Sequence, residues 1–290
     1  MKQFAEWVTG RDYRAGIFAG ALALIPLLGI LGSGLLVLTT LKRGGWAGWG
    51  ATGVAMLVLL VAGQLGGSPA VAGLIAALVL WAPAVALAGL LRRAGSLSLC
   101  VQVAIVSGLL LAGLLGASLG QGNAGWTARL LEGLRPYIAD SGAGDEVMQV
   151  MIGILPGAVA GSVMIAALLA LFIGMSLHAV LVSPGAFGTA FRSLRVGRVL
   201  AGLAVMMMVA LLFTGQLVFG SLLAVMTAGL SLQGLASIHD MAARRRWPPG
   251  IIGVVYVLLI FMMGIAGPLL ASLGVVDNWI EIRGRGQPGS

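Results

Sequence analysis

Charge is what this chain has least of. Asp, Glu, Lys and Arg make up 9% of its 290 residues, while 59% are hydrophobic and the mean hydropathy is strongly positive. A water-facing domain carries about 25% charged residues, so a soluble globular fold is excluded. The few charges also cut the chain into uncharged runs. These hold 27 residues between Arg14 and Lys42, 48 between Arg43 and Arg92, 35 between Arg93 and Arg129, 45 between Glu146 and Arg192, 41 between Arg198 and Asp240, and 30 between Arg246 and Asp277. A bilayer core is ~30 Å thick and needs about 20 helical residues to cross, so each run holds one or two spans. Barrel strands need only about ten residues, and backbone in lipid must satisfy its own hydrogen bonds. The expected fold is all-α: a polytopic transmembrane helix bundle of about eight spans, forming a single integral membrane domain over residues 1–290.

Reactive residues are equally scarce. Cys100 is the only cysteine, so neither an intrachain disulfide nor a multi-cysteine metal site is available. The two histidines, His178 and His239, form no HExxH arrangement, and the phosphate-loop pattern GxxxxGK[ST] is absent. No Ser or Cys nucleophile stands beside a base in the sequence. The expectation is therefore no catalytic residue, no metal, no cofactor and no enzymatic activity. The formal net charge of +8 does not imply a nucleic-acid partner. Its basic residues sit in short clusters at the ends of apolar runs, as the positive-inside rule requires, rather than along one soluble face.

Taken in order, residues 1–14 read as a short interfacial helix with Phe4, Trp7 and Val8 on one side. The first apolar run is longer than a signal-peptide core, no usual cleavage site follows it, and it is expected to be retained. Pro26, Gly29, Gly32 and Gly34 interrupt it, leaving open one crossing or two short membrane-dipping helices. Lys42-Arg43 with Trp46 and Trp49 reads as a cytoplasmic turn with aromatic anchors. Spans follow at about 48–64, 70–91 and 97–118, the first two joined by a turn at 66–69. Residues 119–149 form an extracytoplasmic segment, in which Trp126, Leu130, Leu134 and Tyr137 line one face of an amphipathic helix. A long span at about 150–182 contains Pro156. Residues 185–198 form a cytoplasmic basic elbow, with Phe187, Phe191 and Leu194 on one side and Arg192, Arg195 and Arg198 elsewhere, suited to anionic headgroups or a protein partner. Two spans fill 199–240 around a turn at Thr214-Gly215-Gln216, and one span is expected over 250–274.

Three patterns carry candidate function. Gln233, Ser237 and Asp240 recur at i, i+4 and i+7, a polar stripe on one helical face, with His239 pointing elsewhere. Polar groups within a span face the bundle interior or a wet cavity, so the stripe, together with His178, is the candidate intramembrane site. Interhelical hydrogen bonding, with Asp240 and His239 near the headgroup level, is the stronger account of the same residues. Ala15, Ala19 and Ala23 form a small-residue ladder that serves either close packing within the bundle or docking of a partner subunit. Asp277, Asn278 and Trp279 with Arg283 read as an end-of-span cluster that closes the bundle or contacts a ligand.

The run Leu232-Gln233-Gly234-Leu235-Ala236-Ser237-Ile238-His239, the Pro184-Gly185…Phe191-Arg192…Leu194-Arg195 elbow and the terminal Val276-Asp277-Asn278-Trp279 together resemble the bacterial YybS-like predicted membrane proteins (domain of unknown function 2232). Ser183 and Asp240 depart from that pattern, which favours Asn and a small apolar residue there. The resemblance implies a multi-pass protein of the bacterial plasma (inner) membrane and implies no activity. The hydropathy pattern is also similar to that of the substrate-capturing subunits of energy-coupling-factor vitamin transporters. By that likeness Ala15, Ala19 and Ala23 correspond to the face that meets a transport module. Two readings follow: a solute-binding or transport-associated subunit with a cavity lined by the Gln233 face, or a non-transporting scaffold acting through its basic cytoplasmic loops. The partners implied are the lipid bilayer and either a small molecule or another membrane subunit.

Overall fold

The computed structural model describes residues 2–25, 28–66, 70–119, 133 and 145–280. The expected surface helix around Trp126–Tyr137, the turn at 67–69, Pro26 and Arg283 lie outside the described residues. Among the described residues there are twelve helices and no strand: α1 (Lys2–Thr9), α2 (Asp12–Ala23), α3 (Gly29–Arg43), α4 (Gly45–Leu65), α5 (Ala70–Ala94), α6 (Leu97–Leu119), α7 (Asp145–Val182), α8 (Ala186–Arg192), α9 (Arg198–Thr214), α10 (Leu217–Arg244), α11 (Pro249–Phe261) and α12 (Met263–Ile280). Six of them contain a stretch long and apolar enough to cross a membrane, and α9 and α11 are shorter apolar helices. The all-α multi-pass bundle is therefore what the chain forms.

Of the two forms open to the first apolar run, the chain takes the second, two short helices α2 and α3 of 12 and 15 residues. One stretch differs from its expected form. The run expected as one span over 250–274 is broken at Met262, whose backbone (φ −128°, ψ 37°) leaves the helical region. Gly264, Gly267 and Pro268 follow closely and make this the weakest helical stretch of that run. Beyond the break, α12 continues through Asp277 and Asn278, so these lie inside a helix rather than past the end of one. The long helix α7 holds 38 residues with Pro156 inside it, about 57 Å of helix, more than a bilayer core requires.

The chain divides into two compact units. Unit 1 is Met1–Ala104 with Val163–Leu194, and unit 2 is Ile105–Ser162 with Arg195–Ser290. In unit 1, α2 lies so close to α4 that a Cβ on Gly16 would strike Ala51 O and Val54, and one on Gly20 would strike Val58 and Ala55 O. Ala15 and Ala19 are fully buried in the same core, with Leu36 and Trp81. α3 meets α7 where Gly34 faces Ile173 and Gly174 faces Val37. Phe172 packs its ring against Phe187 and Phe191 at 5.9 and 5.5 Å. In unit 2, the first part of α7 crosses α10 at Gly157 against Ser221 O, and α10 meets α12 at two further glycine contacts described next.

A buried polar knot at the α10–α12 seam

Gly234 on α10 sits on Leu270 O, and Gly274 on α12 sits on Leu230 O; a Cβ at either position would occupy the space of the facing backbone. The pairings 234/270 and 230/274 make the two helices antiparallel. Side chains lean toward the N-terminus of their own helix, so in an antiparallel pair Gln233, within the crossing, and Asp277, just past it, lean toward one another. Gln233 Nε2 donates to Asp277 Oδ2 at 3.0 Å. Both residues are completely buried, and Asn278 nearly so.

The same cluster holds the segment before α9. Gln233 Oε1 accepts the Val196 backbone N–H at 2.7 Å and an Asn278 Nδ2 hydrogen at 3.3 Å. Asn278 Oδ1 accepts the Gly197 N–H at 3.0 Å, and Asn278 Nδ2 donates to Gly274 O within its own helix at 2.7 Å. Arg198 Nε donates to Asn278 O at 3.0 Å. Gly197 adopts φ +95°, a conformation open to glycine, which turns the chain from the elbow into α9. Three features that look separate along the sequence, the Gln233 stripe, the Asp277-Asn278 pair and the end of the basic elbow, are one structure.

Its position along α10 explains why polar groups are needed. Gln233 lies eleven residues before Arg244, about 16 Å along the helix axis, so Val196 meets α10 well short of its basic end. Non-helical backbone at membrane depth is tolerated only where protein satisfies its N–H and C=O groups. Gln233 and Asn278 supply acceptors for two such N–H groups.

The remaining expected site residues fall elsewhere. Ser237 donates to Gln233 O, a bond within its own helix, at 2.9 Å. Asp240 pairs with Arg244 Nε at 2.8 Å, also along the helix. These two bonds of the stripe run along α10 itself. His239, off the stripe as expected, places Nδ1 2.8 Å from Leu235 O, which assigns the proton to Nδ1 and leaves Nε2 to accept from Tyr256 Oη at 3.3 Å. His178 belongs to unit 1. Ala15 and Ala19 are buried in the unit 1 core, with Ala19 against Gly32 of α3, and Ala23 is half-buried. Arg192 ends α8 in unit 1; Arg195 and Arg198 are exposed in unit 2. Trp279 is exposed, as an interfacial anchor requires. Val196, Gly197 and Tyr256 were not legible as participants, because backbone N–H groups and a lone span tyrosine carry no sequence pattern.

A family model described as a predicted membrane protein (DUF2232) matches residues 139–278. Over that stretch, just under half of the chain, the protein is similar to that family. The matched stretch takes in the elbow, the Leu232–His239 run and Asp277-Asn278, on which the resemblance rested, and with them every residue of the polar knot. Ala15, Ala19, Ala23, Trp279 and Arg283 lie outside the matched range. No curated protein matches the chain, and no solved structure does.

Proposed function

We propose that this multi-pass membrane protein is a non-transporting scaffold or assembly factor of the bacterial plasma membrane, without catalytic chemistry of its own, and that its partner-binding face is the basic segment Arg195–Arg198. The observation that carries this reading is the polar knot. A short segment whose two arginines are exposed has its backbone tied by Gln233 and Asn278, and Arg198 Nε is bonded to Asn278 O, so the basic surface sits on a fixed base. A preorganised segment loses less freedom on binding than a loose loop does. The alternative, a solute-binding or transport-associated subunit like the energy-coupling-factor components, draws on a cavity lined by the Gln233 face. It is the weaker reading, because Gln233 is completely buried and bonded to two other segments of unit 2.

The test compares photo-crosslinking at Val199 in intact membranes for the wild-type chain and Arg195→Gln. The scaffold reading expects a discrete protein adduct, reduced about tenfold by the substitution, as removal of a charged anchor does. An undiminished adduct would reduce the segment to a structural element. A small molecule retained by the purified protein in native mass spectrometry, and lost in Gln233→Leu, would favour the solute-binding reading instead.

A further inference from the structure

The geometry points to a binding site in unit 1 for the phosphate of an anionic phospholipid, formed by Lys42, Arg92 and His178 where α3, α5 and α7 end. The contacts 34/173 and 37/174 make α3 and α7 parallel, so one turn further on His178 comes level with the last turn of α3. Arg92, in the last turn of α5, lays its guanidinium over that same turn, with Nη1 donating to Leu41 O at 2.6 Å. Lys42 Nζ is held 3.0 Å from Thr9 Oγ1. Basic side chains from three helices thus lie at the level of the last turn of α3.

Helix C-termini attract cations, which accounts for Arg92 on the Leu41 carbonyl. It does not account for the group as a whole. Unit 1 has only two carboxylates, Glu6 and Asp12, and Asp12 is engaged by Arg43 at 2.6 Å. Among the described residues the half-buried His178 ring has no hydrogen-bond or ion-pair partner. A tetrahedral anion between the three would accept from each of them. The surroundings favour a lipid over a free ion. Trp46 and Trp49, just beyond the Gly44 turn that Arg92 covers, are 93% and 44% exposed and mark the headgroup level. Val180 and Val182 on the last turn of α7 are exposed and offer apolar surface to acyl chains.

This site is independent of the scaffold reading and is tested separately. Full-length protein in neutral detergent is titrated with dioleoyl-phosphatidylglycerol, dioleoyl-phosphatidylcholine or inorganic phosphate, and bound ligand is read by native mass spectrometry. Phosphatidylglycerol is expected to bind in preference to phosphatidylcholine. Lys42→Gln should weaken it about fivefold, the share of one basic residue at an anionic surface. His178→Leu should weaken it comparably, while His178→Gln, which keeps a donor, retains most of the binding. Arg92→Gln also removes the bond to Leu41 O, so the discriminating substitutions are those at Lys42 and His178. Unchanged phosphatidylglycerol affinity in both Lys42→Gln and His178→Leu overturns the site. Inorganic phosphate binding as tightly as the lipid overturns the lipid assignment.

Discussion

The seam between α2 and α4 in unit 1 and the seam between α10 and α12 in unit 2 use the same device and differ in one respect. Both bring helices together on glycines that leave no room for a Cβ. The first is otherwise apolar, lined by Ala15, Ala19, Ala51 and Ala55. The second carries Gln233, Asp277 and Asn278 at its centre. Lipid supplies no hydrophobic drive for helix association, so close van der Waals contact does the fastening in both places. Buried hydroxyls such as Thr52 and Ser237 bond back to their own helices, whereas Gln233 and Asn278 hold a third, non-helical segment. Buried amide side chains at the second seam therefore mark where the chain is interrupted, and the comparison can be broken by substitutions on each side.

The largest effect is expected at the glycines, and it should be unequal. Gly234→Ala places a methyl group on the Leu270 backbone, which moves only if the helix moves. Gly20→Ala meets Val58 Cβ at 2.7 Å and Ala55 O at 2.9 Å, where part of the relief comes from a side chain. Overpacking of this kind costs about 1–3 kcal/mol and more where backbone is struck. Gly234→Ala should lose about 3 kcal/mol or more in reversible unfolding from mixed micelles, and Gly20→Ala about half of that. Equal losses would mean that the two seams are equally tight.

Next comes Gln233→Leu. It keeps the volume roughly constant but removes the acceptor of the Val196 N–H and the donor to Asp277 Oδ2. A buried group left without its partner costs about 1–3 kcal/mol; here the Val196 N–H and Asp277 Oδ2 are affected, while Asn278 Nδ2, which also loses Gln233, keeps its bond to Gly274 O. A loss of about 3 kcal/mol is expected, with faster hydrogen exchange at the Val196 and Gly197 amides in the same sample. If those amides stay protected, Gln233 does not hold the elbow.

Much of this architecture was legible beforehand because it depends on run length and charge placement. Uncharged runs of fixed length give the spans, and Thr214-Gly215-Gln216 gives the α9–α10 turn, where Gly215 adopts φ +64° and Gln216 N donates to Thr214 Oγ1 at 3.2 Å. The polar knot was legible only in pieces. Gln233 and Asp277 are 44 residues apart, and nothing in either local pattern states that α10 and α12 run antiparallel against one another. The break at Met262 was hidden by the uniform apolarity of 250–274, which reads as one span even though its second half is rich in Gly and Pro. Asp240 belonged to the stripe by periodicity, yet Arg244 four residues later offers a nearer partner than any neighbouring helix.

The smallest effect sharpens the comparison from the apolar side. Thr52 on α4 is as polar in composition as Ser237 and nearly as buried, but its Oγ1 donates to Gly48 O, a carbonyl of its own helix, at 2.9 Å. Such back-bonds leave the backbone ladder intact when removed. Thr52→Val should change stability by about 0.6 kcal/mol, the mean value for a side-chain hydrogen bond within a membrane bundle. It should also leave amide exchange in unit 1 as it was. A loss approaching that of Gln233→Leu would show that intrahelical hydroxyls fasten the unit 1 seam as well, and the division between an apolar seam and a polar one would fail. The decisive quantity is thus the ratio of the two losses, since both side chains are buried and only Gln233 bonds to a segment other than its own helix.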